Sequence, residues 1–118
     1  MKRTVYLAGP MTGLPHHNFP LFFKVERELK RRGYKVVNPA RMDVEAGEMT
    51  MTGACKKQAA ARDIARRDVL AILDKCDGIV LLPGWKHSKG ARTEQALAEW
   101  MNMSVLSYKT LCGRKRKR

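Results

Sequence analysis

Two acidic residues have sequence neighbours that would suit a catalytic role, and one of them is Glu94. It lies about one turn into a helix that is predicted to begin at Ser88 or Gly90. The free N–H groups and the dipole at such a helix start favour an anion such as a phosphate, and Lys89 and Arg92 add positive charge. Glu94 could therefore be a carboxylate nucleophile beside an anion site, or it could only complement the dipole or pair with a basic residue.

Asp68 is the second carboxylate of interest. It is four residues from both Ile64 and Ile72, so it lies on or beside the apolar stripe of a helix predicted over residues 56–76. An acid on a buried face needs a partner or a function. The alternative is that the helix breaks near Arg66 and that Asp68 caps a new helix.

The elements that must position these carboxylates alternate between strands and helices. Short apolar segments typical of buried strands cover residues 4–8, 34–37, 78–82 and 104–107. Helical patterns lie between them, over residues 21–32, 56–76 and 88–102. Residues 40–52 have no clear period and predict a long loop or lid. This order predicts one α/β domain over residues 1–110, with a parallel sheet of four to five strands and helices on both faces.

The loops after the strands are where a ligand would bind, because ligands of such sheets lie beyond the carboxyl ends of the strands. The first strand ends at Gly9-Pro10. A glycine there lets the backbone approach a ligand closely, although a plain turn is the alternative. Trp85 follows the third strand and could stack on a base or a sugar, whereas Tyr6 lies within the first strand, where most tyrosines belong to the core.

The charge of the chain is strongly positive. Its 118 residues include 24 Lys and Arg against 11 Asp and Glu, a net charge of +13. The last five residues, Arg114–Arg118, are all basic, which leaves +8 on residues 1–113. We expect residues 111–118 to form a disordered tail, which is either solubilising or able to bind nucleic acid weakly. No signature of a nucleic-acid-binding module accompanies it.

Several classes of protein are excluded by the composition. No apolar stretch approaches the length needed to span a membrane, and the apolar run near the start is too short for a signal peptide. Three widely spaced cysteines form no CxxC motif and fit a reducing cytoplasm, where we expect the protein to be located. The three histidines have no metal-ligand spacing, so we expect neither a metal nor another cofactor.

Three segments carry a resemblance to a known superfamily: VYLAGPM at the start, RRDVLAILDKCD before GIVLL, and the spacing Ser88-x-Gly90-x-x-x-Glu94. They resemble the nucleoside 2-deoxyribosyltransferase superfamily, which includes the 2'-deoxynucleoside 5'-monophosphate N-hydrolases. The longer wording YLAGPMTGLPHHNFPLF and LLPGWKHSKGARTEQALAE looks like a compact branch seen in bacteria and phages. The resemblance covers nearly all of residues 4–107, apart from the loop at 40–55, and implies a flavodoxin-like (Rossmann-like) fold.

The resemblance also implies roles for the candidate catalytic residues. Glu94 matches the nucleophile that attacks the anomeric carbon of a deoxyribose. Asp68 matches the acid that contacts the sugar or the base and helps to protonate the leaving group. Tyr6 matches a strand tyrosine that is placed near the nucleophile.

Binding residues follow from the same resemblance. Ser88 and Gly90 match the segment near the sugar or its 5'-phosphate. The loop that faces the base would include Gly9, Pro10 and Asn18. Homo-oligomers are usual in this superfamily, and we expect a dimer or a higher oligomer here.

The chain departs from the superfamily pattern near Glu94. Arg92 stands where a glycine is frequent, so it could bind a phosphate or crowd the pocket. The PGW-containing loop is longer than in the hydrolases. It is also similar to the PGGxGTxxE element of phosphoribohydrolases, and this similarity would keep the type of bond that is cleaved but change the sugar of the substrate.

The sequence therefore predicts an enzyme that cleaves the N-glycosidic bond of a deoxynucleoside 5'-monophosphate or nucleoside, by hydrolysis or by transfer of deoxyribose between bases. One alternative is a non-catalytic nucleotide-binding or sensor domain. Another is a nucleic-acid accessory protein that uses the basic tail.

Overall fold

A four-stranded, all-parallel sheet forms the centre of the protein, as seen in a computed structural model that describes residues 2–112. The strand order is β2-β1-β3-β4. The strands are β1 (Thr4–Ala8), β2 (Lys35–Val37), β3 (Gly78–Leu81) and β4 (Ser104–Ser107). Tyr6 pairs in register with Val37 of β2 and Ile79 of β3, which places it at the centre of the sheet. The α/β prediction is confirmed, and the arrangement is Rossmann-like and flavodoxin-like.

Five helices surround the sheet in the described part of the chain: α1 (Phe19–Arg31), α2 (Pro39–Glu45), α3 (Ala61–Lys75), α4 (Lys89–Trp100) and α5 (Tyr108–Cys112). Two short 3₁₀ turns add Pro15–Asn18 and Trp85–His87. No helix within residues 2–112 is both long enough and apolar enough to cross a membrane.

The two faces of the sheet bury different side chains because neighbouring residues of a strand point in opposite directions. Val5 and Leu7 of β1 pack in one core with the buried face of α1 and with α5. Tyr6 and Ala8 pack in the other core with α3 and α4, for example against Ile72. Helices therefore cover both faces, and Tyr6 points toward the helices that carry Asp68 and Glu94.

The prediction of a structureless segment over residues 40–52 is wrong for its first half. Asn38 caps α2, since its side-chain oxygen accepts a hydrogen bond from the Ala40 N–H at 2.9 Å, and Pro39 occupies the first turn. The side-chain nitrogen of Asn38 also donates to Glu26 Oε1 at 2.9 Å, and Glu26 is 2% exposed. This buried contact fixes the carboxyl end of β2 against α1.

The predicted start of the third helix at residue 56 is also wrong. α3 begins at Ala61, because the N–H groups of Lys56 and Lys57 both donate to the Glu48 carbonyl and hold this segment against the preceding turn. The helix then runs without a break to Lys75, so Asp68 lies in its interior and does not cap a new helix.

The end of the chain is only partly described. Residues 111–112 belong to α5, so the predicted tail over residues 111–118 begins too early. The basic residues Arg114–Arg118 lie outside the described residues.

Candidate functional site

Three side chains predicted to do chemistry converge in one cavity. Tyr6, Asp68 and Glu94 line a cavity of about 190 Å³ at the carboxyl edge of β1. They come from three elements, β1, α3 and α4, that only the folded sheet brings together. Gly9, Thr12, Ser88 and Gly90 are among the other residues that line it. The position between β1 and β3, where the strand order changes direction, is the usual ligand site of such sheets.

Tyr6 connects the strand to the helix that carries the candidate nucleophile. Its side chain is fully buried, and its hydroxyl donates a hydrogen bond to Glu94 Oε2 at 2.8 Å. Burial raises the pKa of Tyr6 well above its ordinary value, and the charges of Glu94 and Asp68 raise it further. The hydroxyl therefore keeps its proton and acts as a donor.

Asp68 has an unsatisfied oxygen. Its Oδ1 atom is buried and has no hydrogen-bond partner among the described residues. A buried carboxylate oxygen without a partner is costly, so such an atom is expected at a place that a ligand or a proton completes. Asp68 lies on the same side of α3 as the buried Ile72, which confirms that this acid lies beside the apolar stripe.

Both carboxyls bind protons more tightly than usual. Burial raises the pKa of Asp68 to about 7, with the Asp43 charge adding to the rise and the Arg67 charge opposing it. Burial raises the pKa of Glu94 to about 8, although the hydrogen bond from Tyr6 opposes this and the Asp68 charge adds to it. Near neutral pH each carboxyl therefore exists partly protonated and partly ionised, so each can act as an acid or as a carboxylate.

A guanidinium beside the site ties α3 to α2 and to the turn that follows it. Arg67 Nη2 donates to Asp43 Oδ1 at 2.5 Å and to Glu48 Oε1 at 3.1 Å, and Nη1 donates to Glu48 Oε2 at 3.2 Å. Burial raises the pKa of Asp43 to about 6 in spite of this cation. Because Arg67 directly precedes Asp68, the cluster fixes the helix at the candidate acid.

The start of α4 borders the cavity. Ser88 caps the helix, since its Oγ accepts a hydrogen bond from the Ala91 N–H at 3.1 Å. A Cβ placed on Gly90 would meet no atom closer than Ser88 Oγ at 3.9 Å. Protein packing therefore does not require a glycine at this position, and the open space belongs to the cavity.

Unlike Gly90, Gly9 is required to be a glycine by the packing around it. A Cβ at this position would lie 2.8 Å from Leu82 Cβ, which is closer than two such atoms can approach. The residue is needed for the tight contact between the ends of β1 and β3, and it also lines the cavity.

Four predicted binding residues do not line this cavity. Pro10 accepts a hydrogen bond through its carbonyl from Asn18 Nδ2 at 2.8 Å, so these two brace the loop beside the site. Trp85 lines a separate cavity, together with residues at the carboxyl ends of β3 and β4. Arg92 is exposed on α4.

A known protein family matches most of the chain. Residues 3–107 match the family described as Domain of unknown function (DUF4406). The chain belongs to the DUF4406 family. No curated protein matches it in sequence. In this DUF4406 protein the matched range includes the whole sheet and Tyr6, Asp68 and Glu94.

Some residues at the DUF4406 site were missed by sequence reasoning. Thr12 lines the cavity, and its position in the GPMTG loop after β1 could have indicated that it belongs to the site. Arg67 gave no periodic signal, because its partners Asp43 and Glu48 lie on a segment that was predicted to be a loop. Among the residues that the structure describes, no group of three His, Cys, Asp or Glu side chains could hold a metal ion.

Proposed function

We propose that the protein cleaves the N-glycosidic bond of a deoxynucleoside 5'-monophosphate or of a nucleoside, by hydrolysis or by transfer of the deoxyribose to a second base. The observation that carries the proposal is the meeting of Tyr6, Asp68 and Glu94 in one cavity, with the Tyr6 hydroxyl 2.8 Å from Glu94 Oε2. The resemblance of the sequence to the nucleoside 2-deoxyribosyltransferase superfamily assigns roles to the same three residues.

In the first step, a Glu94 carboxylate oxygen attacks C1' of the sugar. A bond forms between this oxygen and C1' while the bond from C1' to the base nitrogen breaks, as in retaining glycosidases. The sugar passes through an oxocarbenium-like state, which a nearby carboxylate stabilises. The Tyr6 hydroxyl fixes the position of the attacking group and favours its ionised form, since its hydrogen bond lowers the pKa of Glu94.

The departing base needs a proton, and we assign its transfer to Asp68. A carboxyl whose pKa is about 7 is protonated often enough near neutral pH to act as a general acid. The proton moves from Asp68 to the base as the glycosidic bond breaks. Within the described residues, the Oδ1 atom of Asp68 has no hydrogen-bond partner that would compete for this proton.

The second step restores the enzyme. Asp68, now ionised, takes a proton from a water molecule as the water oxygen attacks C1', and the bond from C1' to Glu94 breaks. The products are the free base and the free sugar or sugar phosphate. In a transfer reaction, a nitrogen of a second base replaces the water.

The size of the cavity and the helix start beside it suggest how a nucleotide would lie. A volume of about 190 Å³ is below the roughly 300–1,000 Å³ of pockets that enclose drug-sized ligands, so it suits the sugar. The first N–H groups of α4 have no partners within the helix and favour an anion. We therefore expect a 5'-phosphate near Ser88 and Gly90, with Lys89 and Arg92 adding positive charge outside the cavity.

The proposal is tested by incubating the protein with a panel of nucleosides and nucleoside monophosphates, in both the deoxyribose and ribose series. Free base is followed by chromatography. We expect release of base from at least one deoxyribose substrate, with the monophosphate preferred over the nucleoside. No release from any member of the panel would overturn the proposal, and binding without turnover would point to a nucleotide-binding domain.

A further inference from the structure

A second cavity adjoins the one that holds the carboxyls of Asp68 and Glu94. It has a volume of about 450 Å³, and Thr12 lines both cavities. Ile64 lines the larger one and Asp68 the smaller one, and residues four apart on a helix share a face and lie about 6 Å apart along its axis. We call the larger one the His17 cavity and the smaller one the carboxylate cavity. A ligand that extends from Asp68 toward the start of α3 therefore enters the His17 cavity.

The carboxylate cavity is too small to enclose a whole nucleoside. Its volume of about 190 Å³ suits the sugar, whereas pockets for larger organic ligands measure roughly 300–1,000 Å³. The His17 cavity lies within that range. Apolar side chains of Met49, Ala59, Ala61 and Ile64 contribute to its walls and suit the faces of a flat ring. The two cavities together give room for a sugar and for a base of two rings.

Asp43 is the buried acid that lines the His17 cavity. It is 9% exposed, and its Oδ1 accepts a hydrogen bond from Arg67 Nη2 at 2.5 Å. The same guanidinium binds both carboxyl oxygens of Glu48. Within the described residues no hydrogen bond reaches Asp43 Oδ2. One cation thus serves two acids, and Asp43 offers the cavity an acceptor that an N–H group of a ligand can satisfy.

Another wall of the His17 cavity is a strained segment. His16, His17 and Asn18 have φ angles of 53°, 55° and 59°, in the left-handed region that residues other than glycine rarely adopt. Gly53 packs against this segment, since a Cβ there would lie 1.9 Å from the His16 carbonyl oxygen. His17 and Gly53 both line the cavity. Strained backbone persists where the surrounding structure enforces it and is concentrated at ligand sites, so it supports a binding role for this cavity.

We propose that the His17 cavity binds the base of the substrate and selects a purine with an exocyclic amino group, which donates a hydrogen bond to Asp43. This base site rests on the placement of the sugar in the proposed function, because the sugar must lie beside Glu94 for the base to reach the cavity. The glycosidic nitrogen then lies near Asp68, where the departing base takes up its proton. A carboxylate accepts from an amino group but repels a carbonyl oxygen, and this difference gives the selection.

The first test compares pairs of deoxynucleoside 5'-monophosphates that differ by one amino group. Guanine and hypoxanthine differ in this way at C2, and adenine and unsubstituted purine at C6. Base release by the native protein is followed by chromatography, and binding to Glu94→Gln is followed by calorimetry, which needs no turnover. We expect the amino member of at least one pair to be preferred roughly tenfold to a hundredfold in both measurements, because the other member lacks a hydrogen bond to a charged acceptor.

Asp43→Asn and Glu48→Gln form a matched pair of variants. Each removes one negative charge beside Arg67, but only Asp43 has an oxygen that Arg67 does not bind. Asparagine keeps an oxygen for Arg67 and presents an NH₂ group in place of Oδ2. In Asp43→Asn the preference for the amino member should therefore disappear or reverse, whereas Glu48→Gln should keep it.

A second pair of variants tests the place of the base and leaves the acids unchanged. Ala61→Phe puts a ring into the His17 cavity from an exposed position at the start of α3, whereas the exposed Ala65, one turn further on, lines neither cavity. Ala61→Phe should weaken the binding of the preferred nucleotide roughly tenfold or more, because the ring and the base compete for one space. It should leave the binding of deoxyribose 5-phosphate unchanged, since this sugar needs only the carboxylate cavity. Ala65→Phe should change neither.

The outcomes separate the base site from the proposed reaction. Equal rates and affinities within both pairs would overturn the base site and leave the reaction standing. A preference in binding without any base release would support the base site and overturn the reaction. A preference that survives in Asp43→Asn, or equal losses of the nucleotide and of the sugar phosphate in Ala61→Phe, would show that the base does not bind in the His17 cavity.

Discussion

The Tyr6 hydroxyl, on the central strand β1, donates a hydrogen bond of 2.8 Å to Glu94 Oε2 on α4, although the two residues lie 88 positions apart. Tyr6 is fully buried and pairs in register with Val37 and Ile79, so the hydroxyl has little freedom to move. The sheet therefore sets the position of the candidate nucleophile through one polar contact. This contact leads to the first prediction.

A Tyr6→Phe substitution should reduce the rate of base release by roughly tenfold to a hundredfold, because it removes a donor aimed at the reacting carboxylate. It should also raise the pKa of Glu94, since the hydrogen bond lowers that pKa in the native protein. The ascending limb of the pH–rate profile should therefore move to higher pH. The control is Tyr34→Phe, which alters a half-buried tyrosine on the opposite core, and an identical profile for both variants would contradict the role of Tyr6.

Two glycines at the site should respond in opposite ways to alanine. Gly90→Ala should leave the free energy of unfolding unchanged or raise it by up to about 1 kcal/mol, because alanine favours a helix and the Cβ meets no close atom. It should raise KM, because the added methyl group occupies the cavity. Gly9→Ala should lower the free energy of unfolding by about 1–3 kcal/mol, since its Cβ would lie 2.8 Å from Leu82 Cβ.

Urea denaturation and substrate titration measure these two effects. The reverse pattern, a destabilised Gly90→Ala and an unaffected Gly9→Ala, would contradict the packing described for the two glycines.

The stability of the protein should depend on pH through the two carboxyls. Their pKa values are about 7 for Asp68 and about 8 for Glu94 in the folded chain, against ordinary values of 3.8 and 4.5. Between about pH 4 and pH 8 the folded chain thus binds more protons than the unfolded chain, so its stability falls as the pH rises. Glu94→Gln cannot ionise and should become more stable than the native protein as the pH rises toward 8.

Denaturation in urea at pH 5 and at pH 8 checks this expectation. Glu99→Gln, at an exposed position on the same helix, is the matched control and should follow the native protein at both values. Equal pH dependence for Glu94→Gln and the native protein would contradict the raised pKa of Glu94.

The cluster of Arg67 with Asp43 and Glu48 should contribute to stability and to the placement of Asp68. Arg67→Ala leaves Asp43 and Glu48 without their cation and should lower the free energy of unfolding by about 1–3 kcal/mol. Arg66→Ala breaks only an exposed pair with Asp63 and should cost less than about 0.5 kcal/mol. Equal losses for the two variants, measured in urea, would show that the Arg67 cluster is not a stabilising contact.

The fold could be predicted because its signals are local. Each strand is a short apolar run, Gly33 lies two residues after the last residue of α1, and Ser88 caps α4. The segment after β2 could not be predicted in the same way, because its short helix α2 depends on the cap by Asn38 and on the buried Glu26. Contacts of this kind join residues that are distant in the sequence.

The candidate carboxylates could be selected from the sequence, whereas the rest of the cavity lining could not. Asp68 is an acid beside the apolar stripe of a helix, and Glu94 follows a helix start that favours an anion. The place of Trp85 could not be predicted in the same way, since a side chain on a ligand-side loop can face either of two neighbouring cavities. Arg92 lines neither of these cavities.

The most direct test of the proposed reaction is the rate of base release by the native protein, Glu94→Gln and Glu99→Gln on the best substrate of the panel. Glutamine keeps the shape of the side chain and can still accept a hydrogen bond from Tyr6, but it cannot attack C1' as a carboxylate does. We predict that Glu94→Gln loses at least about a hundredfold in rate and that Glu99→Gln stays within about twofold of the native protein. Base release that continues unchanged in Glu94→Gln would contradict the account.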